Sequence, residues 1–451
     1  MARTITIKRG LRLRLSGTAP QDVLPAWEEK GTYALVPDDF HGVLPKPEVH
    51  VGDRVLAGSP LFFSKDHPAM KFVSPVSGTV TAINRGAKRK ILSIEVQPEG
   101  NPLKPEFKEF AKGASLKGAS LKELLLDAGM WGFIKQRPYD RIANPDVAPR
   151  DIFVTCTHTA PLAPEWDTLA KGNGQYITTA LNALSTLTSG KVYVGCATPA
   201  SIQAGASNVE VIGVKGPHPA GNVGVLINRI APVNKGEVVW TLKGTDLIVI
   251  GRFLETGKAD FSRTVAVTGS DAAHRGYLTL MPGATGAQTL AAQKEKGATR
   301  TIAGDPFTGI QLNAERPYTP FNIDQLTYIP EGDQINEVLG WAMPRFKQFS
   351  MSRSYFSWLC PKKEYTLDTR IKGEERAMIM SNELSRVFPM DIYAEYLLKA
   401  IIAFDIDKME QLGIYEVAPE DFAVCEFVDA SKMELQRIVR TGLDLLYKEM
   451  N

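Results

Sequence analysis

The sequence predicts an α/β protein of several domains, and three observations carry that expectation. The chain has 451 residues, too many for one hydrophobic core, so three or four domains are expected. Its middle repeats a strand-helix-strand rhythm, the pattern of a mostly parallel sheet. Its beginning is rich in short strands and glycine turns, and its end is helical. The expected division is an N-terminal strand and barrel over 1–101, an α/β domain over 102–255, a small β module over 256–335 and a helical domain over 336–451.

The first region opens with Met1-Ala2-Arg3-Thr4-Ile5-Thr6-Ile7-Lys8, which alternates like a strand. No apolar stretch follows it, so it does not read as a signal peptide. His50-Val51-Gly52-Asp53-Arg54-Val55 leads through a second turn at Ala57-Gly58-Ser59 into Pro60-Leu61-Phe62. A partial echo follows in Val73-Ser74-Pro75-Val76-Ser77-Gly78-Thr79-Val80. Two such halves joined by a hairpin resemble a biotinyl/lipoyl-like barrel. Ala69-Met70-Lys71-Phe72 looks like a biotin acceptor motif, in which the lysine belongs at the hairpin tip. Lys71 stands only seven residues before Gly78, which places it inside a strand instead. Lys65 is nearer the tip, but Ser64 and Asp66 make a poor acceptor context. The barrel therefore reads as unmodified.

The second region is expected to be Rossmann-like. Leu121–Ala128 reads as a helix stopped by Gly129. Asp151–Thr155, Lys191–Gly195 and Val209–Ile212 read as buried strands, with a helix near 175–189 between the first two. Asp246–Ile250 reads as one more strand, closed by Gly251. Nucleotide binding on such a sheet needs backbone N–H groups free to approach phosphate. Gly129-Met130-Trp131-Gly132-Phe133 has too much bulk for that. Gly216-Pro217-His218-Pro219-Ala220-Gly221 loses donors at its prolines.

The third region reads as a β-grasp module, with strands at Thr264–Gly269 and Gly309–Leu312. In the fourth, Asp391 is placed to cap a helix running to Phe404. The last helix, Lys432–Met450, carries an apolar stripe at Leu435, Ile438, Val439, Leu443 and Leu446. Two frames there have the spacing of a bacterial ferredoxin loop, C-x2-C-x2-C-x3-C. One runs through Met378, Ser381, Leu384 and Phe388, with Pro389 after it; the other through Pro419, Phe422, Cys425 and Asp429. One cysteine in eight positions cannot hold an iron–sulfur cluster. Two ordinary helical hairpins remain the alternative.

The bulk properties exclude several classes. Net charge is +2, from 52 Lys and Arg against 50 Asp and Glu, which gives no basic excess for nucleic acid. No window reaches the roughly 18 apolar residues of a membrane span. Cys156, Cys196, Cys360 and Cys425 form no C-x-x-C pair, which fits a reducing compartment and not a disulfide framework. The six histidines show no metal-ligand spacing. Arg85, Lys88, Arg89 and Lys90 form the densest basic run, either a solvated turn or a docking surface for an acidic partner.

Ile5-Thr6-Ile7-Lys8-Arg9-Gly10-Leu11, Ile83-Asn84-Arg85-Gly86-Ala87-Lys88-Arg89 and Gly216-Pro217-His218-Pro219-Ala220-Gly221, with the two C-terminal frames, carry a resemblance that spans nearly the whole chain. The chain resembles the NqrA family, whose members are subunits of the Na+-translocating NADH:quinone reductases. That family is similar to the flavin-binding subunit of respiratory complex I, and also to the C subunit of the Rnf complex. The flavin-binding relatives have a G-R-G-G-A-G-F loop where this chain reads Gly129-Met130-Trp131-Gly132-Phe133. They have E-C-E-P-Y where it reads Thr155-Cys156-Thr157-His158-Thr159-Ala160-Pro161.

The resemblance implies a peripheral subunit on the cytoplasmic face of the inner membrane, held there by the other subunits of the complex. It implies no flavin, nicotinamide or iron–sulfur cofactor on this chain. It implies a part in the reduction of a quinone such as ubiquinone, coupled by the complex to Na+ export. A quinone needs an apolar, aromatic pocket with a few hydrogen-bond donors. Trp131, Phe133, His158 and His218 are suitable types. The rival readings are a biotin- or lipoyl-type carrier and a soluble flavin-dependent NADH oxidoreductase.

Overall fold

The computed structural model describes residues 3–293, 297–333 and 345–450. The barrel packs two antiparallel sheets face to face. One runs Tyr33–Leu35, Ile91–Pro98, Gly78–Arg85, Arg54–Val55, and the other Pro45–Pro47, Pro60–Ser64, Lys71–Val73. Leu61, Phe62, Phe72, Val76, Val80 and Ile94 are buried between them. Lys71 begins a strand, as its distance from Gly78 implies, and its ammonium meets Asp127 at 2.8 Å. The hairpin connection runs from Lys65 to Ala69, with its turn at Pro68 and Ala69.

The central sheet has seven strands in the order Thr4–Thr6, Val209–Lys215, Val192–Cys196, Ile152–Cys156, Val239–Lys243, Lys135–Arg137, Arg141–Ile142. The first five are parallel, and the last two form an antiparallel hairpin. Helices cover the sheet, so Ile152, Phe153 and Val154 are all buried and show no alternation. Two sequence expectations are corrected by this sheet. The opening strand does not belong to the barrel; Thr4, Ile5 and Thr6 pair with Gly213, Val214 and Lys215 at the sheet's edge. Asp246–Ile250 is not a strand but the first half of the helix Gly244–Thr256. Periodicity cannot separate a short buried helix from a short buried strand. Asp246 is the local reason for the helix: its carboxylate accepts the Lys243 N–H at 3.3 Å and closes the first turn.

The third unit is a five-stranded sheet ordered Gly276–Leu280, Arg263–Thr268, Gln325–Pro330, Thr299–Ala303, Ile310–Leu312. Its two middle partners, Arg263–Thr268 and Gln325–Pro330, run parallel, and the other pairs are antiparallel.

The C-terminal region becomes helical only from Leu384 onward, with helices Leu384–Val387, Ala394–Ile402, Ile406–Gln411, Ala423–Val428 and Leu435–Met450. The expected helical domain is corrected over 345–383, where the only helix is the short turn Phe356–Leu359. Serines, Pro361 and Gly373 break any helical apolar period there. Asp391 caps nothing; its N–H donates to Asn228 Oδ1 at 3.1 Å, and Tyr393 precedes the helix.

Candidate functional site

The chain moves outward from Ile152–Cys156 through two strands, then returns to lay Val239–Lys243 on the opposite flank. That reversal opens a crevice at the carboxyl ends of the two neighbouring strands, where parallel sheets bind ligands. His158 follows the first strand, and Lys243 ends the second. In this chain the crevice is filled by side chains of the protein itself. Lys243 Nζ meets Asp324 Oδ2 at 3.2 Å, and His158 Nε2 lies 3.8 Å from the same oxygen. Arg263, buried, pairs with buried Asp246 and donates to the Ile323 carbonyl at 3.2 Å. Burial holds the pKa of His158 below its ordinary value, against the opposing pull of Asp324. Burial alone would raise Asp324; Lys243, His158 and Arg263 outweigh it and hold the carboxylate below its ordinary value.

The four expected quinone contacts do not converge. Trp131 is fully buried, stands edge-on to Trp240 at 5.1 Å and donates its indole N–H to the Ala143 carbonyl at 2.8 Å. Phe133 stacks on Phe321 at 4.7 Å, beneath the Arg263 guanidinium at 5.2 Å. Both are core residues, and the short Met130–Phe133 turn packs them where a phosphate loop would lie. His158 belongs to the ion-pair cluster. His218 lies elsewhere, beside a shallow cavity of about 410 Å³ that Leu11, Leu13 and Leu162 also line. Thr159 Oγ1 is 3.1 Å from His218 Nδ1, and Phe307 stacks on the ring at 5.6 Å. Burial pulls the His218 pKa down to about 4.

The larger cavity, about 430 Å³, lies where the barrel hairpin, the antiparallel hairpin of the central sheet and the last helix meet. Tyr139, Tyr415 and Tyr447 make its aromatic wall, with Tyr139 edge-on to Tyr447 at 5.2 Å and to Tyr415 at 6.5 Å. Arg141 lies 3.6 Å over the Tyr447 ring and donates to the Gly42 carbonyl at 2.6 Å. Met70 and Met450 add apolar surface. Tyr139 and Asp140 turn the hairpin with φ of 77° and 46°, a left-handed pair usually given to Asn-Gly. Arg440 holds this turn by donating to both carbonyls. Buried Arg137 ties the hairpin to the helical domain through Glu420 at 3.2 Å and Asp421 at 3.9 Å. Burial lifts Asp421 to about 7. Sequence reasoning misses Tyr139, Arg141, Tyr415 and Tyr447, because they lie far apart in the chain and match no motif.

The basic run sits on an exposed turn between Gly78–Arg85 and Ile91–Pro98. Two of its members have partners within the chain. Lys90 meets Asp38 at 2.8 Å, and Arg85 donates to the Arg89 carbonyl at 3.2 Å. Lys88 and Arg89 hold φ of 53° and 62° at the tip.

The two ferredoxin-like frames pack against each other as a hydrophobic core. Phe388, last position of the first frame, packs on Phe422 of the second at 5.0 Å. Asp429 ends the second frame; nearby Ser431 donates to the carbonyl of Ala377, beside Met378. Of the two last positions, Phe388 lies against the other frame. Leu384, Phe388, Phe422 and Cys425 are buried, and burial pushes the Cys425 thiol up. Among the described residues, no group of three or more His, Cys, Asp or Glu could hold a metal ion.

A barrel, a mostly parallel α/β sheet, a small mixed sheet and a helical C-terminal region define a multidomain α/β protein. Residues 5–99 match the family described as NqrA N-terminal barrel-sandwich hybrid domain, 116–259 the NqrA second alpha/beta domain, and 264–314 the NQRA C-terminal domain. The NqrA subunit of the Na(+)-translocating NADH-quinone reductase of Pasteurella multocida (strain Pm70) is 34% identical over 448 residues, covering 99% of this chain and 100% of that protein. Its counterpart in Saccharophagus degradans is 34% identical over 452 residues, with the same coverage. The chain therefore belongs to the NqrA family of Na(+)-translocating NADH-quinone reductase subunits. Among solved structures, the NAD+-reducing [NiFe]-hydrogenase in the H2-reduced state overlaps 41% of each chain at a TM-score of 0.31 and 11% identity.

Proposed function

We propose that this chain is a cofactor-free, peripheral subunit of a Na+-translocating NADH:quinone reductase and that it binds the quinone. Family membership over the full length supports the subunit role. The observation that carries the quinone reading is the 430 Å³ cavity with its three tyrosines and Arg141. Its size and mixture suit a small ring with two polar edges. The tyrosine faces would sandwich or edge the ring, and the phenol and guanidinium O–H and N–H groups would donate to its carbonyls. In this reading the electrons reach the quinone from other subunits, and this chain binds and orients it. The finer fold reading is a β-grasp five-stranded module beside a Rossmann-like sheet.

Attachment to the cytoplasmic face of the membrane is read as partner-mediated. Among the described residues, no helix is long and apolar enough to cross a membrane. Lys88 and Arg89 are the remaining docking candidates on the basic turn. Exposed charges alone are too weak, at about 0–1 kcal/mol per pair, to hold a tight complex.

The test is titration of the full chain with a short-chain quinone, followed by protein fluorescence or calorimetry. Saturable binding is expected, weakened about tenfold by Tyr447→Ala. No saturation, or an unchanged affinity in that variant, would count against the cavity as the quinone site.

A further inference from the structure

The loop from Arg345 to Lys363 has two faces of different chemistry. One face is tied to the body. Phe349 stands edge-on to Tyr365 at 5.8 Å and lies 6.2 Å from Phe427. Ser357 Oγ accepts from the Ser350 N–H at 3.1 Å and donates to its carbonyl at 3.0 Å. Tyr365 N–H donates to the Arg14 carbonyl at 2.9 Å. The other face is turned outward. Phe346, Leu359, Trp358 and Phe356 are 62%, 58%, 50% and 47% exposed. Phe346 and Phe356 stack at 5.7 Å, and Arg353 sits 5.6 Å over Trp358. The short turn Phe356–Leu359 carries three of the four exposed apolar side chains, and the stacking of Phe346 on Phe356 adds the fourth.

We propose that this face is a contact for an anionic phospholipid surface, seated at headgroup level. Charge complementarity points to that occupant. The loop holds five cations, Arg345, Lys347, Arg353, Lys362 and Lys363, and no Asp or Glu, while the rest of the chain is net acidic. Tryptophan and phenylalanine interleaved with Lys and Arg is the composition of interfacial segments, where rings enter the acyl boundary and cations stay with phosphate. Protein interfaces, by contrast, are depleted in lysine at their cores. The patch is small, so it serves as an added foothold for a chain whose main attachment is through partners. The inference stands whether or not the quinone reading does.

The experiment uses the full chain with vesicles of phosphatidylglycerol and phosphatidylcholine, against phosphatidylcholine alone. Cys360 is exposed while Cys156, Cys196 and Cys425 are buried, so an environment-sensitive thiol probe reports from the patch. Flotation of unlabelled protein is run beside it. A blue shift and co-flotation are expected with the anionic vesicles, at least about tenfold stronger than with the neutral ones, and weaker as salt rises. Each cation near the surface contributes roughly fivefold, so Lys362→Glu with Lys363→Glu lowers binding by more than about tenfold. Trp358→Ser with Leu359→Ser abolishes it. All four positions are exposed, and unchanged circular dichroism and melting certify the variants. A folded parent that ignores anionic vesicles overturns the proposal, as does a folded Trp358→Ser, Leu359→Ser variant that still floats. If the parent ignores vesicles while that variant loses assembly with the other subunits, the face is a protein interface instead.

Discussion

Two clefts in this molecule have opposite fates. Topology places a ligand crevice between Ile152–Cys156 and Val239–Lys243, yet His158, Lys243, Asp324, Arg263 and Asp246 occupy it. No topological rule marks the junction of barrel hairpin, sheet hairpin and last helix, yet that junction stays open and is lined with tyrosines. The difference teaches that a sheet fixes where a site can form, while side chains decide whether it does. In the filled crevice, Lys243 pairs with Asp324 and Arg263 with Asp246. In the open cavity, Arg440 and Arg137 brace the hairpin from behind and leave its front uncovered.

The largest expected effect comes from breaking the filling of the crevice. Arg263→Ala leaves Asp246 buried without its partner and is expected to cost about 3–5 kcal/mol in chemical denaturation. A loss under about 1 kcal/mol would mean that the pair is dispensable and the crevice more open than its geometry.

His218 provides the next effect, through pH. Its folded-state pKa of about 4 lies below the ordinary 6.5. Between those values the unfolded chain binds more protons than the folded one, so stability falls as the pH falls. At full protonation the loss is about 3 kcal/mol. His218→Gln is expected to flatten this part of the stability–pH curve; an unchanged slope would assign it to other groups.

The open cavity is sharpened by Tyr139→Asn. Asparagine accepts the left-handed conformation that Tyr139 adopts, so the hairpin should survive. Quinone affinity should fall about tenfold, or about 1.4 kcal/mol. Retained affinity would move the site away from this wall.

The smallest effect belongs to the barrel. Lys71→Arg keeps the ion pair to Asp127, and stability should change by less than about 0.5 kcal/mol with complex activity intact. An intact mass above that of the sequence, lost in the variant, would instead make Lys71 an acceptor.

Much of the fold is legible where local rules act alone. The parallel strands at Ile152–Cys156 and Val192–Cys196 announce themselves as apolar runs, and Gly129, with φ of 75°, stops its helix as expected. The helix Gly244–Thr256 is not legible, because five apolar-rich residues suit either conformation. The partner of the opening strand cannot be read either, since Thr4–Thr6 pairs across about 200 residues of chain. The candidate site is the least legible part. Of the four residues chosen for their chemistry, Trp131 and Phe133 go to the core, His158 to an ion-pair cluster and His218 to a different cavity.

By itself the sequence determined the helix stop at Gly129, the buried strands at Ile152–Cys156 and Val192–Cys196, and the ligand inventory of the two C-terminal frames. A phenylalanine cannot ligate iron wherever it is placed, and a glycine turn needs only its neighbours. Tertiary structure alone decided which side chains meet. It set Phe388 against Phe422, closed the sheet crevice with charges from a separate module, and brought Tyr139, Tyr415 and Tyr447 to one wall. Those meetings depend on packing between elements remote in the chain, where spacing along the sequence carries no information about distance in space.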